Sequence, residues 1–168
     1  MTEPTNYEEW EASIADSLKA DAVWTITAYR LAFFVGDLGW HDVSRLTPVR
    51  ALWSVADQLY RSLGSISANI AEGYSRSTGR DRARFYEYAL GSARESRDWY
   101  FKARHVLGEE VFNHRTDLLT RIIQLLIKMV SQQRPGGTRN LRESAHTYRL
   151  DNSTPQGTEP IPYATPES

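Results

Sequence analysis

The chain has 168 residues, no cysteine, 40% hydrophobic residues and a net charge of −1. That length suits one domain with a core that needs no cross-link, and the missing cysteines exclude thiolate catalysis, disulfides and cysteine-based zinc sites. No apolar run approaches the roughly 20 residues that cross a bilayer, and Met1 to Glu11 is acidic rather than signal-like, so cytoplasmic residence without a membrane partner is expected.

Apolar spacing predicts four helices and no strands. An acidic extension, 1–16, comes first, and Tyr7 to Ile14 has the pattern of a short amphipathic helix. The first long helix is expected from Ser17 to Leu38, on Trp24, Ala28, Leu31, Val35 and Leu38, and to end at Gly39. Thr47-Pro48 reads as an N-cap with proline in the first helical position, opening a second helix that continues to Ser75. After Ser77-Thr-Gly-Arg80, a third helix should run from Arg80 to Leu107, with Phe85, Ala89, Ser92, Ser96, Trp99 and Ala103 inward, until Gly108 breaks it. The fourth, Glu109 to Gln133, carries Leu118-Leu119, Ile122-Ile123 and Leu125-Leu126-Ile127, more apolar width than an isolated bundle needs and a sign of a subunit interface. Pro135-Gly-Gly137 ends the pattern, and 135–168 reads as a flexible Pro/Gly-rich tail. Short connections between long helices favour an all-α, antiparallel up-down-up-down four-helix bundle over 17–134.

The second helix has three faces. Leu59, Leu63, Ile66 and Ile70 form an apolar stripe, Gly64, Ala68 and Ala71 a small-residue stripe, and Ser65, Asn69, Glu72 and Arg76 a polar one. Gly, Ser and Asn are poor helix formers, so their presence points to close packing and specific hydrogen bonds. Ser65, Asn69 and Glu72 could reach Ser92 and Glu95 of the third helix across Ala68 and Gly91, as a structural polar network that fixes helix register.

Charge is unevenly placed. Residues 1 to 21 hold Glu3, Glu8, Glu9, Glu11, Asp16 and Asp21 against Lys19 alone, whereas the middle of the chain is basic. Arg76, Arg80, Arg82 and Arg84 cluster at the connection between the second and third helices, interleaved with Tyr74, Phe85 and Tyr86. In a cyclic oligomer this end would become a ring of positive charge with multipoint contact to phosphates. The plainer alternative is a solvated helix end whose arginines pair with Asp81 and Glu87.

Catalysis has no positive signal: no glycine-rich phosphate loop, no Gly-x-Ser-x-Gly elbow and no His-Glu-x-x-His occurs. His105 with Glu109 and Glu110 with His114 have i, i+4 spacing, but Gly108 is expected to separate two helices there, and His41 and His146 fall in predicted loop and tail. No catalytic residue, metal or cofactor is therefore expected.

Ser65-Ile66, Ala68-Asn-Ile-Ala-Glu-Gly73 and Gly91-Ser92 resemble the motifs of the bacterial four-helix-bundle family named after the intervening sequences of 23S ribosomal RNA genes, over roughly residues 20 to 134. That family includes the accessory protein of diversity-generating retroelements, and Ser67 stands where its first motif usually has proline. The resemblance implies assembly as a cyclic homopentamer. It also implies a non-enzymatic accessory role with RNA or DNA, alongside a reverse transcriptase or another protein. The alternative is a structural or protein–protein interaction adaptor without nucleic-acid binding.

Overall fold

The structure, a computed structural model, describes residues 6–134; residues 1–5 and the predicted tail, 135–168, lie outside it. Among the described residues there are six α-helices and no strand: α1 (Tyr7–Ser13), α2 (Asp16–Lys19), α3 (Thr27–Leu46), α4 (Trp53–Tyr74), α5 (Gly79–Leu107) and α6 (Glu109–Gln133). Helix α4 packs on α3 and α5, α5 on α6, and α3 also reaches α6, so the four long helices surround one core. Ser96 Oγ donates to Ser62 Oγ at 2.9 Å and Ser92 Oγ to Ser65 Oγ at 3.0 Å, a falling register that sets α4 and α5 antiparallel. Leu59, Leu63, Ile66, Ile70, Leu119 and Leu126 are fully buried between them. At about 1.5–3 kcal/mol per large apolar side chain, this shared core supplies most of the driving force.

The predicted first helix is corrected at both ends. Instead of starting at Ser17, the chain makes the short α2 and a 3-10 turn, Ala22–Thr25, whose Val23 amide donates to the Asp21 carboxylate at 3.0 Å. Helix α3 then begins at Thr27 and passes straight through Gly39 to Leu46. Glycine costs a helix about 1 kcal/mol, but Gly39 is buried where a Cβ would lie 2.4 Å from Leu63 Cδ1. Close approach of α3 and α4 outweighs the propensity penalty.

Thr47-Pro48 closes α3 rather than capping α4. The Thr47 amide donates to the Val43 carbonyl at 3.0 Å and its hydroxyl to the Ser44 carbonyl at 3.0 Å. A 3-10 turn, Arg50–Leu52, follows, and α4 starts at Trp53 without a side-chain cap. Helix α5 opens one residue before the expected Arg80, capped by Thr78, whose hydroxyl accepts from the Asp81 amide at 3.1 Å. On α5, Ala89, Ser96 and Ala103 are buried as expected, but Phe85, Ser92 and Trp99 are half-buried, and Tyr86, Leu90, Ala93 and Tyr100 carry the inward face with them. Helix α6 spans its expected residues.

The described part of the acidic N-terminal segment is docked. Trp10 is buried against Trp24, Phe34 and Leu38, with its ring 4.8 Å from that of Phe34 and its indole N–H donating to Asp37 Oδ2 at 2.9 Å. Glu11 pairs with Arg30 at 3.0 Å. Leu118 packs against the same cluster, so part of the extra apolar width of α6 is covered from within the chain.

Candidate nucleic-acid interface

Three helix ends meet beside the predicted arginine cluster, and two glycines permit it. A Cβ on Gly73 would lie 2.7 Å from Tyr86 Cε1 and 3.1 Å from Phe85 Cβ, so its absence seats the first turns of α5 on the last turn of α4. A Cβ on Gly79 would lie 2.8 Å from the carbonyl of Gln133, which brings the end of α6 to the same place.

On this frame the four arginines have different settings. Arg76 and Arg84 both lie over the half-buried Phe85 ring, 4.7 and 5.4 Å from its centroid, and Arg76 also pairs with Glu72. Cation–π contacts of this exposed kind contribute about 0.5–1 kcal/mol. Phe85 is thus a platform for two guanidinium groups rather than a core residue. Arg82 is held from two sides, Nε donating to Gln133 Oε1 at 2.8 Å and Nη1 to the Arg76 carbonyl at 3.4 Å. Arg80 is exposed. The plainer pairing is not found: Asp81 accepts from the Thr78 hydroxyl at 2.7 Å, and Glu87 pairs with Arg134.

The expected polar network is present in part. Asn69 Nδ2 donates to the Ser65 carbonyl at 2.8 Å and to Ser65 Oγ at 2.9 Å, and Ser92 joins through the bond described above. Glu72 and Glu95 lie outside it: Glu72 faces Arg76, and Glu95 accepts from Trp99 Nε1 at 3.1 Å. The small-residue face is also corrected, because Gly64, Ala68 and Gly91 are exposed instead of packed between α4 and α5. Serine hydroxyls, Ser62 to Ser96 and Ser65 to Ser92, make that close contact in their place.

A second polar cluster was not anticipated from the sequence. Asp42, Tyr100 and Arg115 are 2%, 0% and 3% exposed, and each comes from a different helix. Arg115 Nε and Nη2 donate to the two Asp42 oxygens at 2.8 and 3.2 Å, and the Tyr100 hydroxyl donates to Oδ2 at 2.8 Å. Arg115 Nη1 is 2.6 Å from His114 Nδ1, and burial, then the Arg115 charge, lowers the His114 pKa. Burial, then the Asp42 carboxylate, pushes the Tyr100 phenol well above 10.0. The folded state keeps this proton where an unfolded chain would release it, so the contribution is complete below pH 10 and is lost as pH rises beyond it. Tyr100→Phe should shrink the alkaline loss of stability in urea midpoints taken from about pH 9 to 11. It should not abolish the loss, since burial also raises Tyr7, Tyr29 and Tyr86.

Among the described residues, no group of three or more His, Asp or Glu could hold a metal ion, and no helix is long and apolar enough to cross a membrane. Gly108, at φ 88°, stands between α5 and α6 and places His105 and Glu109 on different helices, whereas Glu110 and His114 are both on α6.

A family model described as 23S rRNA-intervening sequence protein matches residues 29–128. The chain belongs to this family. The matched span runs from the first turn of α3 well into α6, so the Trp10 segment lies outside it, while the arginine-bearing end and the Asp42 cluster lie within. A solved structure from Bacteroides thetaiotaomicron VPI-5482, a protein of unknown function from the S23 ribosomal protein family, is similar at a TM-score of 0.58 and 21% identity. The likeness covers 62% of this chain and 98% of that one, and it shows the fold. No curated protein matches the chain. Within the family's frame, Gly73 of the first motif seats Tyr86, and Ser92 of the second bonds to α4.

Proposed function

We propose that this family member is a non-enzymatic, self-associating bundle, antiparallel and up-down-up-down in order, that binds RNA or DNA through the arginines at the α4–α5 end and resides in the cytoplasm. The observation that carries this reading is the placement of Arg76 and Arg84 over the Phe85 ring, with Arg80 exposed at the start of the same helix and neither Asp81 nor Glu87 pairing with them. Guanidinium groups on an aromatic support suit both phosphates and unstacked bases. A cyclic homopentamer would repeat the cluster around an axis, turning weak single contacts into strong combined ones. Light scattering with a mixed-sequence single-stranded RNA tests it. Mass should be gained at about 50 mM salt and largely lost by about 200 mM, whereas an assembly indifferent to RNA at both would overturn the reading.

Self-association draws support from one face. Trp40 and Tyr60 are 58% and 44% exposed with ring centroids 6.0 Å apart, next to the exposed Gly64 and Ala68 on α4. The same face supports the second reading, a structural or protein-binding adaptor, and a reverse transcriptase or other protein as partner fits either reading. Ala68→Leu separates packing within the subunit from packing between subunits. Because Ala68 is exposed, subunit stability should change by no more than about 0.5 kcal/mol, while the assembled mass in light scattering should fall. Unchanged mass would remove this face from the interface.

A further inference from the structure

Beside the arginines a cavity of about 650 Å³ opens between the ends of α4 and α6 and the starts of α3 and α5. Small-molecule sites fall in the range of about 300–1,000 Å³. Ile26 and Met129 supply apolar wall, Tyr74 and Tyr86 supply aromatic surface, and Arg82 and Gln133 supply polar groups. Tyr86 is only 4% exposed, yet its hydroxyl has no hydrogen-bond partner among the described residues, and the same holds for the Tyr74 hydroxyl. Arg82 is fixed by its bonds to Gln133 and the Arg76 carbonyl, which leaves Nη2 without a partner there.

These groups narrow the ligand. An apolar molecule seated there would cut the guanidinium and the two phenols off from water without pairing them, at a cost of about 1–3 kcal/mol for each group it buries. A bare phosphate would leave the tyrosine and methionine walls unused. A flat heterocycle with donors and acceptors on its edge, carrying a phosphate, uses all of them: aromatic faces stack on it, amide and phenol groups meet its edge, and Arg82 meets the charge. A base inside a duplex cannot enter such a cavity.

We infer that this cavity is a subsite for one unstacked nucleotide of a single strand, with its base against Tyr74 and Tyr86 and its phosphate at Arg82. The inference rests on the nucleic-acid reading above and gives it a substrate form, single strand over duplex. The burial that raises the Tyr86 pKa keeps that phenol a neutral donor and acceptor throughout the physiological range.

The test is calorimetric titration of the full chain with AMP and, separately, with inorganic phosphate. AMP should bind at millimolar concentration, and phosphate at the same concentration should not displace it. Met129→Trp, which fills the cavity, should weaken AMP by about tenfold or more, the loss expected for one stacked base. Tyr86→Phe removes only the hydroxyl and should weaken AMP several-fold with circular dichroism unchanged, so the question stays open to test if the tryptophan variant does not fold. AMP binding that ignores Tyr86→Phe in a folded protein, or equal competition by phosphate, overturns the subsite. If single-stranded RNA is retained but AMP does not bind, the subsite falls and the arginine reading stands. If AMP binds in the cavity but RNA is not retained, the arginine reading falls, and with it the single-strand form of the subsite.

Discussion

Asp42→Ala should destabilise the folded subunit by about 3–5 kcal/mol, the cost of leaving a buried charge uncompensated. Arg115 has 3% exposure and loses both of its contacts with the carboxylate, while the fully buried Tyr100 hydroxyl loses its acceptor. The pair itself need not be worth that much, because desolvating two ions offsets most of their attraction. Asp42→Leu combined with Arg115→Met should therefore recover most of the loss. Urea midpoints of the three proteins, at equal protein concentration because assembly adds stability, decide the matter. A loss under 1 kcal/mol in Asp42→Ala would mean that water reaches Arg115 in the native protein, and a double variant as unstable as the single would make the ionic contact itself the source of stability.

The second large effect concerns the arginine-bearing end. Arg76, Arg80 and Arg84 changed together to Glu should cut retention of single-stranded RNA by at least about tenfold at low salt and make its salt dependence shallower by about 0.7 per lost contact. Arg82 is left in place because it holds Gln133 and the Arg76 carbonyl, and its loss would confound binding with local structure. Helicity and assembled mass should be unchanged, since all three arginines are exposed, Arg76 and Arg84 lie over the half-buried Phe85 ring, and Arg76 pairs with the exposed Glu72. Retention equal to that of the parent protein would sink the proposal and favour the adaptor reading.

Helices α5 and α6 were legible in the sequence nearly to the residue, because Thr78 and Gly108 are local signals that act where they stand. The errors fall where a residue's local preference yields to contact with another helix. Gly39 reads as a terminator, yet it is needed inside α3 for the approach of Leu63; Thr47-Pro48 reads as a beginning, yet it satisfies the end of the helix before it. The small-residue face of α4 was visible but its direction was not, since pattern alone cannot say whether Ala68 meets a neighbouring helix or solvent. Asp42 and Arg115 do leave a signal in the sequence. Each occupies an inward position of an apolar stripe, Asp42 between Leu38 and Leu46, Arg115 between Val111 and Leu119. Two opposite charges on inward faces of separate helices invite a pairing that no single helix reveals.

The junction at Gly108 makes chain length itself a carrier of information. Only this residue separates α5 from α6, and its φ of 88° belongs to a region that side chains rarely adopt. No slack exists to absorb an added residue. One extra residue carried into α6 would advance it by about 1.5 Å and turn it by about 100°, swinging Arg115 away from Asp42 and the Leu119–Ile122–Leu126 row away from the core. The other two corners have longer connections, 47–52 and 75–78. The bundle is therefore keyed at this corner, where register, charge pairing and hydrophobic contact are all set by a single backbone step.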